Sequence, residues 1–109
     1  MGFISAHEVS ANQRHAVAKL MIEYTTQLHG LGFVHGDFRP NNVLVQIENG
    51  IPTQIQVVDF DLSGKRGQAK YPSYLNTEEI LWAEGVASNG LLEPVHDIHF
   101  IDLFLSGAI

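Results

Sequence analysis

Three polar side chains near the middle of the chain have types and a spacing suited to holding a divalent cation beside a reacting hydroxyl group. Asp37 is followed five residues later by Asn42, and Asp59 comes seventeen residues after Asn42. Magnesium prefers oxygen ligands and needs only one or two carboxylates when phosphates and water complete its shell. A further carboxylate could accept the proton of the hydroxyl group. Transfer of a phosphoryl group from a nucleotide asks for such a set, because it depends on positioning and charge balance.

These residues lie in two short motifs. The first is His-Gly-Asp-Phe-Arg-Pro-Asn-Asn at residues 35–42, and the second is Asp-Phe-Asp at residues 59–61. Together they resemble the catalytic loop and the magnesium-binding loop of protein kinases, whose signature is His-x-Asp, four residues, Asn, and then Asp-Phe-Gly. The His-Gly-Asp form is similar to that of the aminoglycoside and choline phosphotransferases. The Lys-Tyr-Pro-Ser-Tyr-Leu-Asn stretch at residues 70–76 resembles fungal kinase-like proteins.

The resemblance implies a role for each polar residue of the motifs. Asp37 would be the catalytic base, and Arg39 would lie near the transferring phosphoryl group. Asn42 and Asp59 would be magnesium ligands. Asp61 stands where the family has glycine, so it would either add a metal ligand or stiffen the loop. The expected site therefore comprises Asp37, Arg39 and Asn42 for catalysis and Asn42, Asp59 and Asp61 for the metal, with Mg²⁺ and ATP as cofactors.

Two more residues are expected, by the same resemblance, to support the catalytic loop. His35 would be structural and would brace the loop. Asp97 lies 38 residues after Asp59 and resembles a buried aspartate that begins a core helix and hydrogen-bonds back to the loop.

The remaining histidines give a weaker signal. His96 and His99 are three residues apart and could share a metal ion, but packing or capping is the favoured interpretation, since no matching carboxylate pattern accompanies them. His7, His15 and His29 form no constellation with chemistry of its own.

Apolar spacing predicts the elements that position the motifs. A helix is predicted from Ser10 to Leu28, with Ser10 and Gln13 as a capping box and with Gly30 and Gly32 ending it. Two β-branched runs, 43–47 and 55–58, predict a hairpin. Asn49-Gly50 would form its turn, and Pro52 would lengthen the connection.

Two further helices are predicted, a short one from Thr77 to Glu84 capped by Asn76 or Thr77, and one from His96 to Leu105. The expected fold class is α+β, a mostly helical kinase-like C-terminal lobe fragment with a catalytic loop and a small β-hairpin. Residues 1–9 would be an N-terminal extension and residues 10–109 a partial C-terminal lobe. The N-terminal lobe is expected to be absent, because no glycine-rich phosphate loop and no Val-Ala-Ile-Lys strand precede the first helix.

Composition excludes several classes of protein. Twelve acidic against six basic side chains give a net charge of −6, which argues against nucleic-acid binding by bulk electrostatics. The chain has no cysteine, so a disulfide scaffold and a thiolate zinc site are excluded. Because no apolar run approaches the length of a membrane span and no signal peptide is recognisable, a cytoplasmic or nuclear location is expected.

Several functions remain open at this point. In a full-length parent, the chain would transfer the γ-phosphoryl group of ATP to a hydroxyl of a protein serine or threonine, or of a small molecule. Alternatively, it is an inactive pseudokinase-like binding module, or a truncated gene product that needs a partner chain to cover the missing lobe. Asp37, Asp59 and Asp61 could also be solvated loop residues with no role in metal binding, since acidic residues in loops are common.

Overall fold

The protein combines two α-helices with five short strands over residues 2–109, the part of the chain that the computed structural model describes. The helices contain more residues than the strands, and the predicted α+β class is confirmed. The elements, in chain order, are β1 (Phe3–Ser5), α1 (Arg14–Gly30), β2 (Phe33–Val34), β3 (Val43–Glu48), β4 (Ile51–Val57), β5 (Gly64–Lys65) and α2 (Pro94–Ser106). No helix among these residues is long and apolar enough to cross a membrane.

The long helix α1 is close to its prediction. It follows a single 3₁₀ turn over Ala11–Gln13, and the backbone N–H of Ser10 donates to Gln13 Oε1 at 3.1 Å. The helix ends at Gly30, and Gly32 then takes a positive φ of 88°. This is a conformation that glycine adopts without steric cost, so the chain can reverse there.

The predicted hairpin is β3 and β4, joined by Asn49 and Gly50, both at positive φ. The prediction that Pro52 lengthens the connection is wrong. Pro52 pairs with Ile47, and the extra residue is absorbed as an irregularity between Gln46 and Ile47. A bulge costs less than a longer loop here because the Asn-Gly turn already matches the twist of the strands.

The first residues of the chain complete the sheet. β1 pairs antiparallel with β3, which gives the strand order β1-β3-β4. Ala6 and Val9 are buried in the same core as α1 and α2. The hydroxyl of Ser5 donates to the carbonyl oxygen of Pro40 at 3.3 Å. The segment predicted as an N-terminal extension is thus packed against the loop that carries Asp37.

A second, two-stranded sheet includes the residues just before that loop. β2 and β5 pair antiparallel, with Phe33 opposite Lys65, and the N–H of Arg66 donates to the carbonyl of Gly32 at 2.8 Å. Neither segment was predicted as a strand. Two-residue strands are too short to show an alternating pattern, so they form only because the rest of the fold brings them together.

The helix α2 begins at Pro94 and stops before Gly107, which has a φ of 80°. This confirms the prediction for 96–105. α2 packs against α1 and buries one face in the common core. The buried residues of this helix are His96, Asp97, Phe100, Ile101 and Phe104.

The helix predicted from Thr77 to Glu84 does not form, so that prediction is wrong. Asn76 does cap the backbone amides that follow it, as expected of a helix start. However, the indole N–H of Trp82 donates back to the carbonyl of Asn76 at 2.8 Å, and its ring packs against Tyr71 and Phe100. Burial of this large ring favours an irregular path over a short exposed helix.

Candidate active site

The loop between β2 and β3 carries an ion pair between Asp37 and Arg39. Arg39 Nε donates to one carboxylate oxygen at 2.5 Å and Nη2 donates to the other at 3.0 Å. Asp37 is buried, whereas Arg39 is half-buried. The hydrogen bonds from Arg39 to Asp37 raise the pKa of Arg39, and the negative charge of Asp59 adds to the effect. Asp37 and Arg39, two of the predicted catalytic residues, are therefore in contact. The charge of Asp59, a predicted metal ligand, acts on Arg39.

His35 braces the loop, in the role expected of it. Its Nδ1 accepts the backbone N–H of Asp37 at 3.1 Å, and its Nε2 lies 3.0 Å from the carbonyl oxygen of Val58. Since Nδ1 accepts, Nε2 must be the protonated nitrogen that donates to Val58. The ring is fully buried and packs edge-on against Phe38 and Phe60. One side chain thus joins the Asp37 loop to the residues on both sides of Asp59.

Asp97 fixes the same loop from the core. Its carboxylate is fully buried and accepts the backbone N–H of His35 at 2.9 Å and that of Gly36 at 3.0 Å. Asp97 lies in the first turn of α2, where the helix dipole favours a negative charge. The contact between Asp97 and the catalytic loop, expected from the resemblance, is therefore present.

Only glycine fits at the middle position of His-Gly-Asp. Gly36 has a φ of 92°, and a Cβ placed on it would lie 2.9 Å from a methyl carbon of Leu92 and 3.1 Å from the backbone oxygen of Leu62. A side chain would be strained by the backbone conformation and would also collide with two neighbours. Steric contacts in this fold therefore explain why the position is glycine, independently of the resemblance to a family motif.

The hairpin brings Asn42 and Asp59 to the same end of the sheet. Val43 and Val57 are paired across the strands, so the residues just outside them are neighbours. The N–H of Val58 donates to the carbonyl oxygen of Asn42 at 2.9 Å. Asn42 Nδ2 donates to the carbonyl oxygen of Asp37 at 2.9 Å, which leaves Oδ1 as the atom able to bind a cation.

Asp59 and Asp61 are both exposed at this end of the hairpin. Asp59 has a φ of 59°, a conformation that aspartate tolerates better than most residues. The N–H of Asp61 approaches Asp59 Oδ1 at 3.4 Å, so the turn is tight. Across residues 2–109, no three histidine, aspartate or glutamate side chains are grouped closely enough to hold a metal ion. A magnesium site here would use Asn42 with the two carboxylates of the Asp-Phe-Asp motif.

A cavity of about 440 Å³ opens beside the ion pair. Arg39, which holds Asp37, forms part of its wall. Its other lining is mainly apolar, with two more ionisable side chains, and consists of His7, Pro40, Asn41, Glu79, Ile80, Leu81, Phe100, Ala108 and Ile109. The volume falls in the range of small-molecule sites.

His96 and His99 do not share a metal ion. His96 Nδ1 accepts the hydroxyl of Tyr71 at 2.9 Å and the N–H of Glu93 at 3.2 Å. His99 Nε2 instead lies 2.7 Å from the carbonyl oxygen of Leu81. Packing and capping, the interpretation favoured from the sequence, is the one the structure shows.

His29 is a residue that sequence reasoning missed. It was judged to have no constellation, yet its Nε2 lies 2.8 Å from Asp97 Oδ2, beside the catalytic loop. The two residues are 68 positions apart, and no local pattern links them. The only available signal was its place at the end of α1, just before the loop.

Comparison with known proteins places these features in a family. Residues 4–81 match the lipopolysaccharide kinase (Kdo/WaaP) family. The chain is also similar to a serine/threonine-protein kinase of Drosophila melanogaster, with 29% identity over 93 residues that cover 71% of this chain. The chain spans 12% of that relative's length. The predicted likeness to kinases is confirmed, and this chain belongs to the lipopolysaccharide kinase (Kdo/WaaP) family, which is protein-kinase-like.

Proposed function

We propose that this chain carries the catalytic and magnesium loops of a phosphotransferase that moves the γ-phosphoryl group of ATP to a hydroxyl group. One observation carries the proposal: Asn42 accepts the N–H of Val58, the residue before Asp59, and its side chain donates to the carbonyl oxygen of Asp37. Transfer of a phosphoryl group needs a base, a metal site and a positive charge in one place. The chain would act in the cytoplasm or nucleus as part of a full-length parent.

The donor set at the hairpin end fits magnesium. Asn42 offers an amide oxygen, and Asp59 and Asp61 offer exposed carboxylates. Magnesium accepts one or two carboxylates from a protein and takes its other ligands from phosphates and water. These three residues would hold the metal against the phosphates of ATP, and the metal would neutralise charge on the transferring group.

Asp37 would accept the proton of the acceptor hydroxyl. Its carboxylate accepts two hydrogen bonds from the Arg39 guanidinium, and its backbone N–H donates to Nδ1 of His35. A phosphoryl group that enters the site would compete with the Asp37 carboxylate for Arg39, because guanidinium binds carboxylate and phosphate oxygens alike. Arg39 would then balance the charge of the phosphoryl group while Asp37 becomes free to accept a proton.

The cavity beside Arg39 is the place where we expect the acceptor to bind. Pro40, Ile80 and Phe100 give it apolar walls, and the carboxylate-bearing Glu79 also lines it. Such a lining suits an acceptor molecule that is partly apolar and carries a hydroxyl group. Protein serine or threonine side chains and small molecules both meet that description, and the Ser/Thr type is the version we favour.

A non-catalytic binding module is the second candidate. It is favoured by the Asp37–Arg39 contact, in which both carboxylate oxygens of Asp37 are already hydrogen-bonded to Arg39. In this version the lobe keeps the kinase-like scaffold and presents it to a partner chain.

Calorimetric titration with magnesium and ATP separates the two candidates. The phosphotransferase predicts magnesium-dependent binding of ATP that Asp59→Asn abolishes. The control is Glu23→Gln, which removes an exposed carboxylate from α1 and should leave binding unchanged. If ATP does not bind, or binds equally well with and without magnesium, the phosphotransferase proposal is wrong and the binding module stands.

A further inference from the structure

We propose that Glu79 makes the acceptor site of this chain selective for molecules that carry a positive charge near the reacting hydroxyl group. The inference rests on the proposed function, because it takes the cavity beside Arg39 as the place where the acceptor binds. It adds a charge to the description of that acceptor. The cation can belong to a basic residue of a protein segment or to a small amino alcohol, which share this chemistry.

The charges around the cavity leave the carboxylate of Glu79 unmatched. The ionisable side chains that line the cavity are those of His7, Arg39 and Glu79. Arg39 already donates to both carboxylate oxygens of Asp37, and in the proposed reaction the phosphoryl group takes over this charge. Among residues 2–109, no lysine lines the cavity and no ion pair involves Glu79. A molecule bound here therefore meets a free negative charge.

The segment that carries Glu79 is held in place by three side chains. Asn76 Oδ1 accepts the N–H of Glu79 at 3.1 Å, and the indole N–H of Trp82 donates to the carbonyl oxygen of Asn76 at 2.8 Å. On the side of α2, His99 Nε2 lies 2.7 Å from the carbonyl oxygen of Leu81. These contacts fix the backbone on both sides of Glu79. Less conformational freedom is then lost when its carboxylate binds a ligand.

The apolar part of the lining strengthens a charge contact at Glu79, although solvent limits it. Ile80, Leu81 and Phe100 exclude part of the water from the cavity, and a lower effective dielectric increases the attraction between opposite charges. Glu79 is itself exposed, so its contact with a cation is screened like that of a surface ion pair. A preference of about threefold to fivefold for a cationic over a neutral acceptor is therefore expected.

Attraction by Glu79 must be separated from attraction by the whole chain. The net charge of −6 draws cations toward the molecule from any direction, whatever the cavity does. Glu78 allows the separation, because it is adjacent to Glu79, is equally exposed and does not line the cavity. Asn76 Oδ1 accepts the backbone N–H of both residues, at 3.2 Å for Glu78. The two glutamates therefore differ in where their carboxylates lie and not in how their backbone is held.

NMR titration of the whole chain without nucleotide tests the charge preference. The probes are three blocked pentapeptides with a central serine, whose other four residues are all arginine, all citrulline or all glutamate. Citrulline keeps the shape of arginine without its charge. A second pair of probes, 2-aminoethanol and ethylene glycol, represents the small amino alcohol and its neutral analogue. About pH 8 is suitable, because histidine side chains are ordinarily neutral there.

The matched variants are Glu79→Gln and Glu78→Gln, which change the net charge equally. We expect the wild-type chain to bind the arginine peptide about fivefold more tightly than the citrulline peptide, and the glutamate peptide most weakly. Glu79→Gln should remove most of this preference, and Glu78→Gln should retain it. The shifted resonances should include the Ile80 amide and the indole N–H of Trp82. A preference that 2-aminoethanol also shows assigns a small amino alcohol, whereas one limited to the peptides assigns a protein segment.

Several results would overturn the proposal: no binding of any probe, equal affinity for the arginine and citrulline peptides, tighter binding of the glutamate peptide, or an equal effect of the two substitutions. The proposed function is judged separately, by magnesium-dependent binding of ATP. If ATP binds but no preference depends on Glu79, the inference is wrong and the phosphotransferase stands. If the preference is present but ATP does not bind, the proposed function is wrong and the cavity binds cations for another purpose.

Discussion

The carboxylate of Asp97 accepts the backbone N–H of Gly36 at 3.0 Å, although the two residues are 61 positions apart in the chain. A loop of this kind has few backbone partners of its own, so its shape depends on what it contacts. Here the contact is a fully buried carboxylate at the start of a helix. The loop of Asp37 is therefore held in place by a residue of α2, and α2 is itself packed in the core.

Replacing Asp97 by asparagine should lower the stability of the whole domain. Asparagine has an NH2 group, which is a donor, where Asp97 has an oxygen that accepts. Because all three partners of Asp97 are donors, at least one of the three hydrogen bonds would be lost. Hydrogen bonds to a charged group contribute about 1.5–3 kcal/mol each, so we expect a loss of about 3 kcal/mol in the free energy of unfolding. Urea denaturation followed by circular dichroism measures it.

The matched control is Asp102→Asn, on the exposed face of the same helix. It removes an equal charge and should change the free energy of unfolding by no more than about 0.5 kcal/mol. Equal effects of the two substitutions would show that Asp97 acts only through its charge on the helix and not through its contacts with the loop.

A second prediction concerns Gly36. The Gly36→Ala substitution places a Cβ at positive φ and within 3.1 Å of Leu62 and Leu92. The loop must move to relieve this, and strain of this kind costs about 1–3 kcal/mol. We expect lower stability and displaced amide resonances from His35 to Asp37. Gly67→Ala is the comparison, since Gly67 also has a positive φ but has open space around it. It should be less harmful and should leave the loop resonances in place.

Much of this site was predictable from the sequence because its signals are local. The helix α1 shows apolar residues at helical spacing, and the Asn49-Gly50 pair has the backbone preferences of a tight turn. The motif order then predicted the contact between Asp97 and the loop. These features depend on residues close together in the chain or on a spacing shared by a whole family.

The remainder depends on contacts between distant residues, which no local pattern reveals. β1 forms because β3 offers it an edge, and the pairing of β2 with β5 needs the loop between them to be closed first. The segment 77–84 had the composition of a helix, but packing of the partly buried Trp82 against the core overrode that preference. The contact of the His29 side chain with Asp97 was missed for the same reason, because only the fold brings these two distant residues together.

A third prediction concerns acid conditions. His96 is buried, and burial lowers its pKa from the ordinary value of 6.5. The folded chain therefore resists a proton that the unfolded chain accepts, so this contribution to stability is complete above about pH 6.5. It is lost as the pH falls from 6.5 toward the folded pKa, by at most about 1.4 kcal/mol per pH unit. Urea midpoints measured between about pH 7.5 and pH 5.5 should fall accordingly.

The variant His96→Asn separates this titration from others in the chain. Asparagine can keep an acceptor near Nδ1 for the hydroxyl of Tyr71 but cannot bind a proton. Its urea midpoint should depend less on pH than that of the wild type. His15→Asn, which removes an exposed histidine, should retain the wild-type dependence. If all three curves run parallel, His96 is not the group responsible.

The last prediction concerns the contact that ties the start of α1 to the end of α2. Arg14 Nη1 donates to the carbonyl oxygen of Phe104 at 2.7 Å and to that of Ile109 at 3.1 Å, and its guanidinium lies 4.9 Å from the centre of the Phe104 ring. The carbonyl oxygens in the last turn of a helix lack partners within the helix. That of Phe104 accepts the N–H of Gly107 at 3.2 Å, and Arg14 is its second donor.

Arg14→Met keeps most of the apolar stem and removes the donors and the charge, and it should lower the free energy of unfolding by about 1–3 kcal/mol. Arg14→Lys should recover only part of this, because an ammonium group cannot reproduce the planar geometry that serves two carbonyls and a ring at once. Lys19→Met, on the exposed face of α1, is the control and should have little effect. Urea denaturation of the four proteins gives the comparison. If Arg14→Met is as stable as Lys19→Met, the packing of α2 on α1 does not depend on this contact, and the apolar core alone holds the two helices in place.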